Sequence, residues 1–147
     1  MKTILLFILL LGSTLYCYTQ TADKQVVSSD KAPKTIGPYS QAIKVGNTLY
    51  LSGQIAINPE TGKMDTLDIE TEVKRVLDNL GEVLKSAGMK YENVVKVTIF
   101  TTDLKQFATI NSVYGKYFKE KQPARETVQV VALPLKAHVE ISAIAVN

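Results

Sequence analysis

The sequence predicts a single α+β domain, in which one mixed β-sheet carries two helices on one of its faces. The predicted elements follow the order β-β-α-β-α-β-β, with strand pairs at both ends of the chain and the helices in the middle. This order suits helices that pack together on one side of the sheet. The 147 residues fit one domain, and the sequence has no internal repeat or low-complexity tract.

The composition is that of an ordinary globular chain. Hydrophobic residues make up 46% and charged residues 21%, which excludes a disordered or collagen-like chain. The net charge of +3 is weak for a nucleic-acid-binding protein, so we expect no nucleic-acid partner. A single cysteine excludes a disulfide framework and a cysteine-rich zinc site, and a single histidine disfavours a histidine-based metal site.

Residues 1–19 have the pattern of a signal peptide and are not expected to belong to the fold. Lys2 precedes an apolar run of eight residues, Ile4 to Leu11. A transmembrane helix needs about 20 residues, so the run is too short to span a membrane, but it has the size of a signal-peptide core. We therefore expect export to the periplasm or the exterior, without stable membrane insertion. A buried N-terminal helix is the alternative.

The cleavage site of this predicted signal peptide is left open by the sequence. A cut after Thr19 and a cut after Ala22 both fit. Tyr16, directly before Cys17, disfavours lipidation of that cysteine. The mature chain would then contain no thiol, which excludes a cysteine nucleophile and suits an oxidising compartment.

The first predicted elements are a flexible lead-in and a hairpin. Residues 20–36 are polar and lack periodicity, so we expect no regular structure there. A glycine-proline pair at 37–38 predicts a turn. Strands are predicted over Ser40–Val45 and Thr48–Gly53, and the glycine-asparagine pair at 46–47 joins them as a hairpin.

The clearest helical signal covers residues 69–87, where apolar side chains recur at the spacing of one helix face. They are Ile69, Val73, Val76, Leu77, Leu80, Leu84 and Ala87. Gly88 is well placed to end this helix. Residues Val94–Thr101 are rich in β-branched side chains and are predicted to form a strand.

A second helix and two strands complete the predicted domain. Asp103 is a suitable cap for the start of this helix, and Pro123 ends whatever remains of it. The apolar face of the helix consists of Phe107, Ile110, Tyr114, Tyr117 and Phe118. Strands are predicted over Glu126–Leu133 and His138–Val146. Along the last strand one face carries Val139, Ile141, Ala143 and Ala145, and the other carries His138, Glu140, Ser142, Ile144 and Val146. Both faces are therefore largely apolar, and two helices cannot cover both faces of a sheet. We therefore expect other copies of the chain to bury the second face.

Three polar side chains are the main candidates for chemistry. The guanidinium of Arg125 suits bidentate binding of a carboxylate, although a surface arginine is the simpler explanation. Glu140 lies mid-strand among apolar residues, so its carboxylate is either paired with a cation or able to hold water. Asn111 lies on the apolar face of the second helix, where a structural hydrogen bond is the alternative to a role in a site.

The remaining candidates carry weaker signals. Tyr39 follows a tight turn and either presents its hydroxyl to a cleft or packs as a core aromatic. Gly53 either offers backbone groups to a ligand or marks a bulge. His138 is interpreted as an ordinary side chain without a metal role.

Four segments, in their order and spacing, resemble one known family. They are GPYSQA (37–42), LYLSGQIAINPETG (49–62), FATINSVYGKYF (107–118) and PARETVQVVALPLKAHVEISAIAV (123–146). From about Ala32 to the C-terminus the chain resembles the RidA family, also called YjgF/YER057c/UK114, and we assign residues 37–147 to a RidA-like domain. The resemblance implies a chorismate-mutase-like α+β fold and a homotrimer with sites between its subunits.

The resemblance also implies an activity, namely hydrolysis of reactive enamines and imines. The substrates would be 2-iminobutanoate and 2-iminopropanoate, the products 2-oxo acids and ammonia, and no metal or cofactor would be needed. Arg125 matches the arginine that clamps the substrate carboxylate, and Glu140 matches the glutamate that positions and activates water. The residues that would line the pocket are Tyr39, Gly53, Asn111 and Thr127.

Two features depart from the family pattern and keep other hypotheses open. Glu126 and Thr127 stand where many members have serine and cysteine, although strand alternation places Glu126 on the opposite face from Arg125. The predicted export also separates the chain from the usual supply of imines. A non-enzymatic trimer that binds small carboxylates or a protein partner is therefore the main alternative. An endoribonuclease is disfavoured, because the sequence has no basic stripe and no histidine pair.

Overall fold

The computed structural model describes residues 23–147 of the chain, so the predicted signal peptide and Cys17 lie outside it. Its strands are β1 (Lys24–Val27), β2 (Ala42–Val45), β3 (Thr48–Gln54), β4 (Val94–Thr101), β5 (Ala124–Gln129) and β6 (Val139–Val146). Its α-helices are α1 (Ile69–Ser86) and α2 (Phe107–Tyr117). None of the helices in residues 23–147 is long and apolar enough to cross a membrane.

The strands form one mixed sheet in the order β1-β2-β3-β6-β4-β5. The C-terminal strand β6 lies inside the sheet, antiparallel to both of its neighbours, β3 and β4. Strands β4 and β5 run parallel, and α2 lies between them in the chain. A parallel pair needs a crossover connection, and α2 supplies it. The prediction of a single mixed sheet with two helices is confirmed.

The core lies between the helices and one face of the sheet. The apolar face of α1 is fully buried, and it consists of Val73, Val76, Leu77, Leu80, Val83 and Leu84. Along β6 the buried side chains alternate as predicted, at Val139, Ile141, Ala143 and Ala145. The Asp68 carboxylate caps α1 by accepting a hydrogen bond from the Thr71 backbone at 2.7 Å. The helix therefore begins where its first apolar residue reaches the core.

The other face of the sheet carries apolar side chains that the described chain does not cover. Tyr50 on β3 is 50% exposed, Val128 on β5 is 44% exposed and Val146 on β6 is 40% exposed. Tyr50 pairs with the partly exposed Ile144, so apolar side chains of adjacent strands lie together on this face. Burial of this face against other copies stays a prediction.

The prediction of a flexible lead-in over residues 20–36 is wrong for residues 24–27. Lys24–Val27 form β1, which pairs antiparallel with β2 at the edge of the sheet. The buried side chain of Gln41 holds the following segment, since its Oε1 accepts from the Ser29 backbone at 2.6 Å and its amide donates to Pro33 O at 2.8 Å. A four-residue edge strand has too little periodicity to be recognised in the sequence, and its pairing with β2 decides its structure.

The fifth strand differs from its prediction in position. It spans Ala124–Gln129 rather than Glu126–Leu133, because it pairs in register with Lys96–Thr101 and ends where β4 ends. The chain then leaves the sheet and reaches β6 through a short 3₁₀ turn, Pro134–Lys136. The second helix also begins differently, since Asp103 caps a 3₁₀ turn that precedes α2.

A buried carboxylate joins α1 to the start of β6. Glu72, in the first turn of α1, is 0% exposed. Its Oε1 accepts hydrogen bonds from the backbone N–H groups of His138 at 2.6 Å and Val139 at 3.2 Å. Its Oε2 lies 2.8 Å from Nδ1 of the His138 ring. A buried carboxylate is tolerated when donors surround it in this way.

Replacing Glu72 with alanine is expected to destabilise the protein strongly. The Glu72→Ala variant would leave two backbone N–H groups without their acceptor, so the free energy of unfolding should fall by about 2–4 kcal/mol. Urea denaturation of the purified chain measures this change. Glu72→Gln is the matched control, because its amide oxygen can still accept from the backbone and the loss should be smaller. An alanine variant as stable as the wild type would contradict this role.

Candidate active site

Arg125 lies near the start of β5, where its guanidinium rests on two aromatic rings. It pairs with the fully buried Val97, so its side chain lies on the helix-covered face of the sheet. The guanidinium carbon is 4.6 Å from the centre of the Tyr114 ring and 5.9 Å from that of Phe107, both on α2. Stacking occupies the face of a guanidinium and leaves its in-plane N–H groups available to a carboxylate.

Three buried oxygen atoms near this strand and helix have no hydrogen-bond partner within the described chain. They belong to Asn111, Tyr114 and Thr127. Thr127 is two residues after Arg125 and thus on the same face of β5, and Asn111 is one helical turn before Tyr114 on α2. Burial raises the pKa of Tyr114 to about 12, so its hydroxyl is protonated at neutral pH. Buried polar atoms without a partner are the kind that a polar ligand or water satisfies.

Glu140 lies on the opposite face of the sheet. It pairs with Phe100 across β6 and β4, and its side chain is half-buried. Within residues 23–147, no lysine, arginine or histidine nitrogen forms a salt bridge with its carboxylate. Burial raises the pKa of Glu140 above its ordinary value. The structural alternative for Glu140, an ion pair, is therefore not found in this part of the chain.

A cleft of about 390 Å³ opens beside Glu140. Its lining consists of Ile36, Gly37, Tyr39, Ser52, Gly53, Ile55, Pro134 and Glu140. Tyr39 is 46% exposed at this cleft, and its hydroxyl accepts a long hydrogen bond of 3.4 Å from the Ile36 backbone. Gly53 lies directly against the Glu140 carboxylate. Tyr39 is therefore a cleft residue and not a core aromatic.

The predicted site residues, together with Tyr114, thus fall into two groups on opposite faces of the sheet. The arginine group consists of Asn111, Tyr114, Arg125 and Thr127, and the glutamate group consists of Tyr39, Gly53 and Glu140. The sheet separates the two groups within one chain, so a single chain cannot bring Arg125 and Glu140 to the same substrate. A site that uses both groups has to combine two subunits.

The predicted orientation of Glu126 is confirmed. Its carboxylate lies on the face opposite Arg125, where Lys96 Nζ donates to it at 2.6 Å and Thr98 Oγ1 donates at 2.7 Å. These two hydrogen bonds lower the pKa of Glu126. The negative charge of Glu126 therefore does not compete for the Arg125 guanidinium. The His138 ring is largely exposed, and its Nδ1 lies against the Glu72 carboxylate. Within residues 23–147 no cluster of potential metal ligands occurs.

Comparison with known proteins places the chain in a family. The family described as Endoribonuclease L-PSP matches residues 29–147, which is the described domain almost in full. This chain belongs to the RidA family. The match begins close to Ala32, where the resemblance in sequence starts, and it extends to the C-terminus.

The RidA relatives include named deaminases. The Reactive Intermediate Deaminase A, chloroplastic, of Arabidopsis thaliana is 52% identical over 83% of this chain and 65% of that protein. The 2-iminobutanoate/2-iminopropanoate deaminase of Mus musculus is 47% identical over 84% of this chain and 92% of that protein. The crystal structure of RidA from an Antarctic Psychrobacter species has 41% identity and a TM-score of 0.82, with 84% of this chain and 99% of that chain covered.

The rings of Tyr114 and Phe107 also lie at the candidate site, beside Arg125. The sequence predicted these two residues only as part of the apolar face of the second helix. Their spacing around Asn111, at i−4 and i+3, places all three on one helix face. The same spacing describes an ordinary core stripe, so the sequence could not distinguish the two roles. The contact of the two rings with Arg125, a residue of another element, is what distinguishes them from ordinary core residues.

Removal of the Tyr114 ring is expected to weaken carboxylate binding more than removal of its hydroxyl. Tyr114→Leu leaves the guanidinium without its nearer ring, so the affinity for 2-oxobutanoate should fall about tenfold. Tyr114→Phe keeps the ring and removes only a buried hydroxyl that has no partner in the described chain, so stability should stay close to wild type and the loss of affinity should be smaller than in Tyr114→Leu. Calorimetric titration and thermal denaturation of both variants test this. Equal affinities for the leucine and phenylalanine variants would contradict a supporting role of the ring.

Proposed function

We propose that this RidA-family chain hydrolyses 2-imino acids, such as 2-iminobutanoate and 2-iminopropanoate, to 2-oxo acids and ammonia. The observation that carries the proposal is the presence of an arginine and a glutamate that are both free of salt bridges in the described chain, each beside further polar or cleft residues. The name of the 47% identical mouse relative supports the same substrate class.

The proposed reaction uses the two charges in sequence. The N–H groups of Arg125 bind the substrate carboxylate in a bidentate manner and fix the position of the imine carbon. Glu140 accepts a proton from water as the water oxygen bonds to that carbon, which gives a tetrahedral carbinolamine. Glu140 then passes this proton to the nitrogen, the C–N bond breaks, and ammonia leaves as the carbon–oxygen double bond forms and Glu140 accepts the hydroxyl proton. An iminium carbon is already electrophilic, so positioning and proton transfer are sufficient.

The proposed site lies between subunits of a homotrimer, with the arginine group of one subunit facing the glutamate group of the next. Two observations support this arrangement. The groups lie on opposite faces of the sheet in one chain. The uncovered face also carries the exposed side chains of Tyr50, Val128 and Val146, which contact between subunits would bury.

Activity is expected to require both charges. Arg125→Ala and Glu140→Ala should each lower turnover of freshly generated 2-iminobutanoate by about a hundredfold or more, with semicarbazide used to trap the remaining imine. Glu140→Ala should still bind 2-oxobutanoate, and Arg125→Ala should not. Glu126→Gln is the matched control, because Glu126 is paired with Lys96 and faces away from Arg125. A folded trimer that does not accelerate imine loss would favour the non-enzymatic carboxylate-binding or protein-binding alternative.

Mixing the two inactive variants tests whether the site is shared. A cyclic trimer that contains both variants has one interface with an intact Arg125 and an intact Glu140. Equal amounts of the two variants, denatured and refolded together, should therefore recover about one quarter of the wild-type activity. Recovery should fail if each subunit acts alone, and a mixture as inactive as its two components would contradict a shared site.

We also propose that the protein is exported, as the charged residue and apolar run of residues 1–19 indicate. The full chain, expressed in a secretion-competent host, should be recovered outside the cytoplasm with a new N-terminus near residue 20 or 23. N-terminal sequencing of the recovered protein measures this. Replacing Leu9 with arginine should interrupt the apolar run and retain the uncleaved protein in the cytoplasm. An uncleaved wild-type chain in the cytoplasm would contradict export.

A further inference from the structure

We propose that Gly53 is a positioning residue, because the absence of a side chain there creates the recess in which the Glu140 carboxylate lies. The inference rests on the proposed role of Glu140 in activating water. It differs from the role that family resemblance implies for this glycine, which is to line the pocket and contact the ligand.

The distances around Gly53 carry the inference. A Cβ atom built on Gly53 would lie 1.9 Å from Oε1 of Glu140, 2.7 Å from its Cδ and 3.0 Å from its Cγ. Distances below 3.0 Å essentially never occur between real Cβ atoms and their neighbours, so a side chain at position 53 requires a shift, and the group that can shift at least cost is the flexible end of Glu140. The end of the Glu140 side chain thus occupies the volume that a side chain at position 53 would fill.

The backbone conformation does not explain the glycine. Among residues 23–147, the glycines with positive φ are Gly46, Gly62 and Gly88, and Gly53 is not one of them. An alanine can therefore adopt the backbone conformation of Gly53 without strain in φ. The contact with Glu140, and not the backbone conformation, is therefore the observation that bears on the glycine at this position.

A bulge in β3 places Gly53 beneath Glu140. Leu51 pairs with Ala143 and Gln54 pairs with Ile141, so β3 contains one residue more than β6 over this stretch. Ser52 anchors the bulge from the other side. Its N–H donates to Gln41 O at 3.0 Å and its hydroxyl donates to Ser40 O at 2.7 Å. The recess is therefore held by hydrogen bonds to the segment that follows Tyr39.

The consequence for catalysis follows from the flexibility of glutamate. In a Gly53→Ala variant the fold should persist, because a side-chain terminus can rotate away, but the carboxylate would move toward solvent. A general base has to lie within hydrogen-bond reach of the attacking water, and a displacement of about 1 Å can cost about a hundredfold in rate. Turnover should therefore fall by about this factor, while binding of 2-oxobutanoate through Arg125 is retained.

The experiment is a double-mutant cycle of Gly53→Ala and Glu140→Ala, read by thermal stability, 2-oxobutanoate binding and imine turnover. Gly53→Ala should lower the melting temperature when Glu140 is present and leave it unchanged or raised when residue 140 is alanine, because the displaced atoms are then missing. The low-pH limb of turnover should also move to lower pH in Gly53→Ala, since a more solvated carboxylate loses the burial that raises its pKa.

Gly115→Ala is the matched control, because a Cβ at Gly115 has no neighbour within 4 Å. This variant should keep wild-type turnover and binding. The inference is overturned if Gly53→Ala turns over imine at the wild-type rate, or if it lowers stability or 2-oxobutanoate affinity equally with and without Glu140. An equal loss of 2-oxobutanoate affinity would assign Gly53 to close contact with the ligand. An inactive wild type would instead contradict the proposed function, and the stability cycle would still decide whether the recess exists.

Discussion

The relation between the helices and the sheet depends on Glu72, a carboxylate with no solvent exposure. It accepts from two consecutive backbone N–H groups and approaches Nδ1 of His138, at the point where β6 enters the sheet. The strand that begins there lies between β3 and β4 and carries Glu140 two residues later. The hydrogen bonds of Glu72 to the start of β6 therefore also help to fix the position of Glu140, the proposed catalytic residue, which lies near the start of this strand.

Two carboxylates of the described domain are paired with hydrogen-bond donors, whereas the proposed catalytic charges, Arg125 and Glu140, have no salt-bridge partner there. Glu72 is satisfied by His138 and the backbone, and Glu126 is satisfied by Lys96 and Thr98. Arg125 rests on aromatic rings and Glu140 rests against the backbone of Gly53, which hold them in place without neutralising their charge. A charge that is positioned but unpaired costs stability and remains available to a ligand.

Arg125 and Glu140 lie on opposite faces of one sheet, so the proposed function requires the assembly of more than one subunit. An enzyme that builds its site on one face can act as a monomer. This chain places Arg125, the proposed carboxylate-binding residue, on the helix side at the edge strand β5, and Glu140, the proposed water-activating residue, on the uncovered side. The proposed contact between subunits would account for both features. It would bury the exposed apolar side chains of the uncovered face, and it would bring Arg125 of one subunit next to Glu140 of another.

Periodicity in the sequence was sufficient to determine most of the elements. The apolar spacing of residues 69–87 predicted α1 within one residue of its observed end, and the β-branched run predicted β4 with both bounds correct. Alternation along β6 and around Arg125 also predicted the faces of Glu140 and Glu126. These features could be predicted because each depends on a residue and its near neighbours in the chain.

Contacts between distant segments could not be predicted in this way. Strand β1 is ordered by pairing with β2, the end of β5 is set by the end of β4, and Tyr114 acquires its role only when Arg125 stacks on its ring. Gly53 is the clearest case, since the sequence left open whether it served a ligand or a bulge. The tertiary structure places the Glu140 carboxylate within 1.9 Å of the missing Cβ. The chain itself determined which residues could carry the chemistry, and packing decided where each of them lies, because packing joins residues that the sequence keeps far apart.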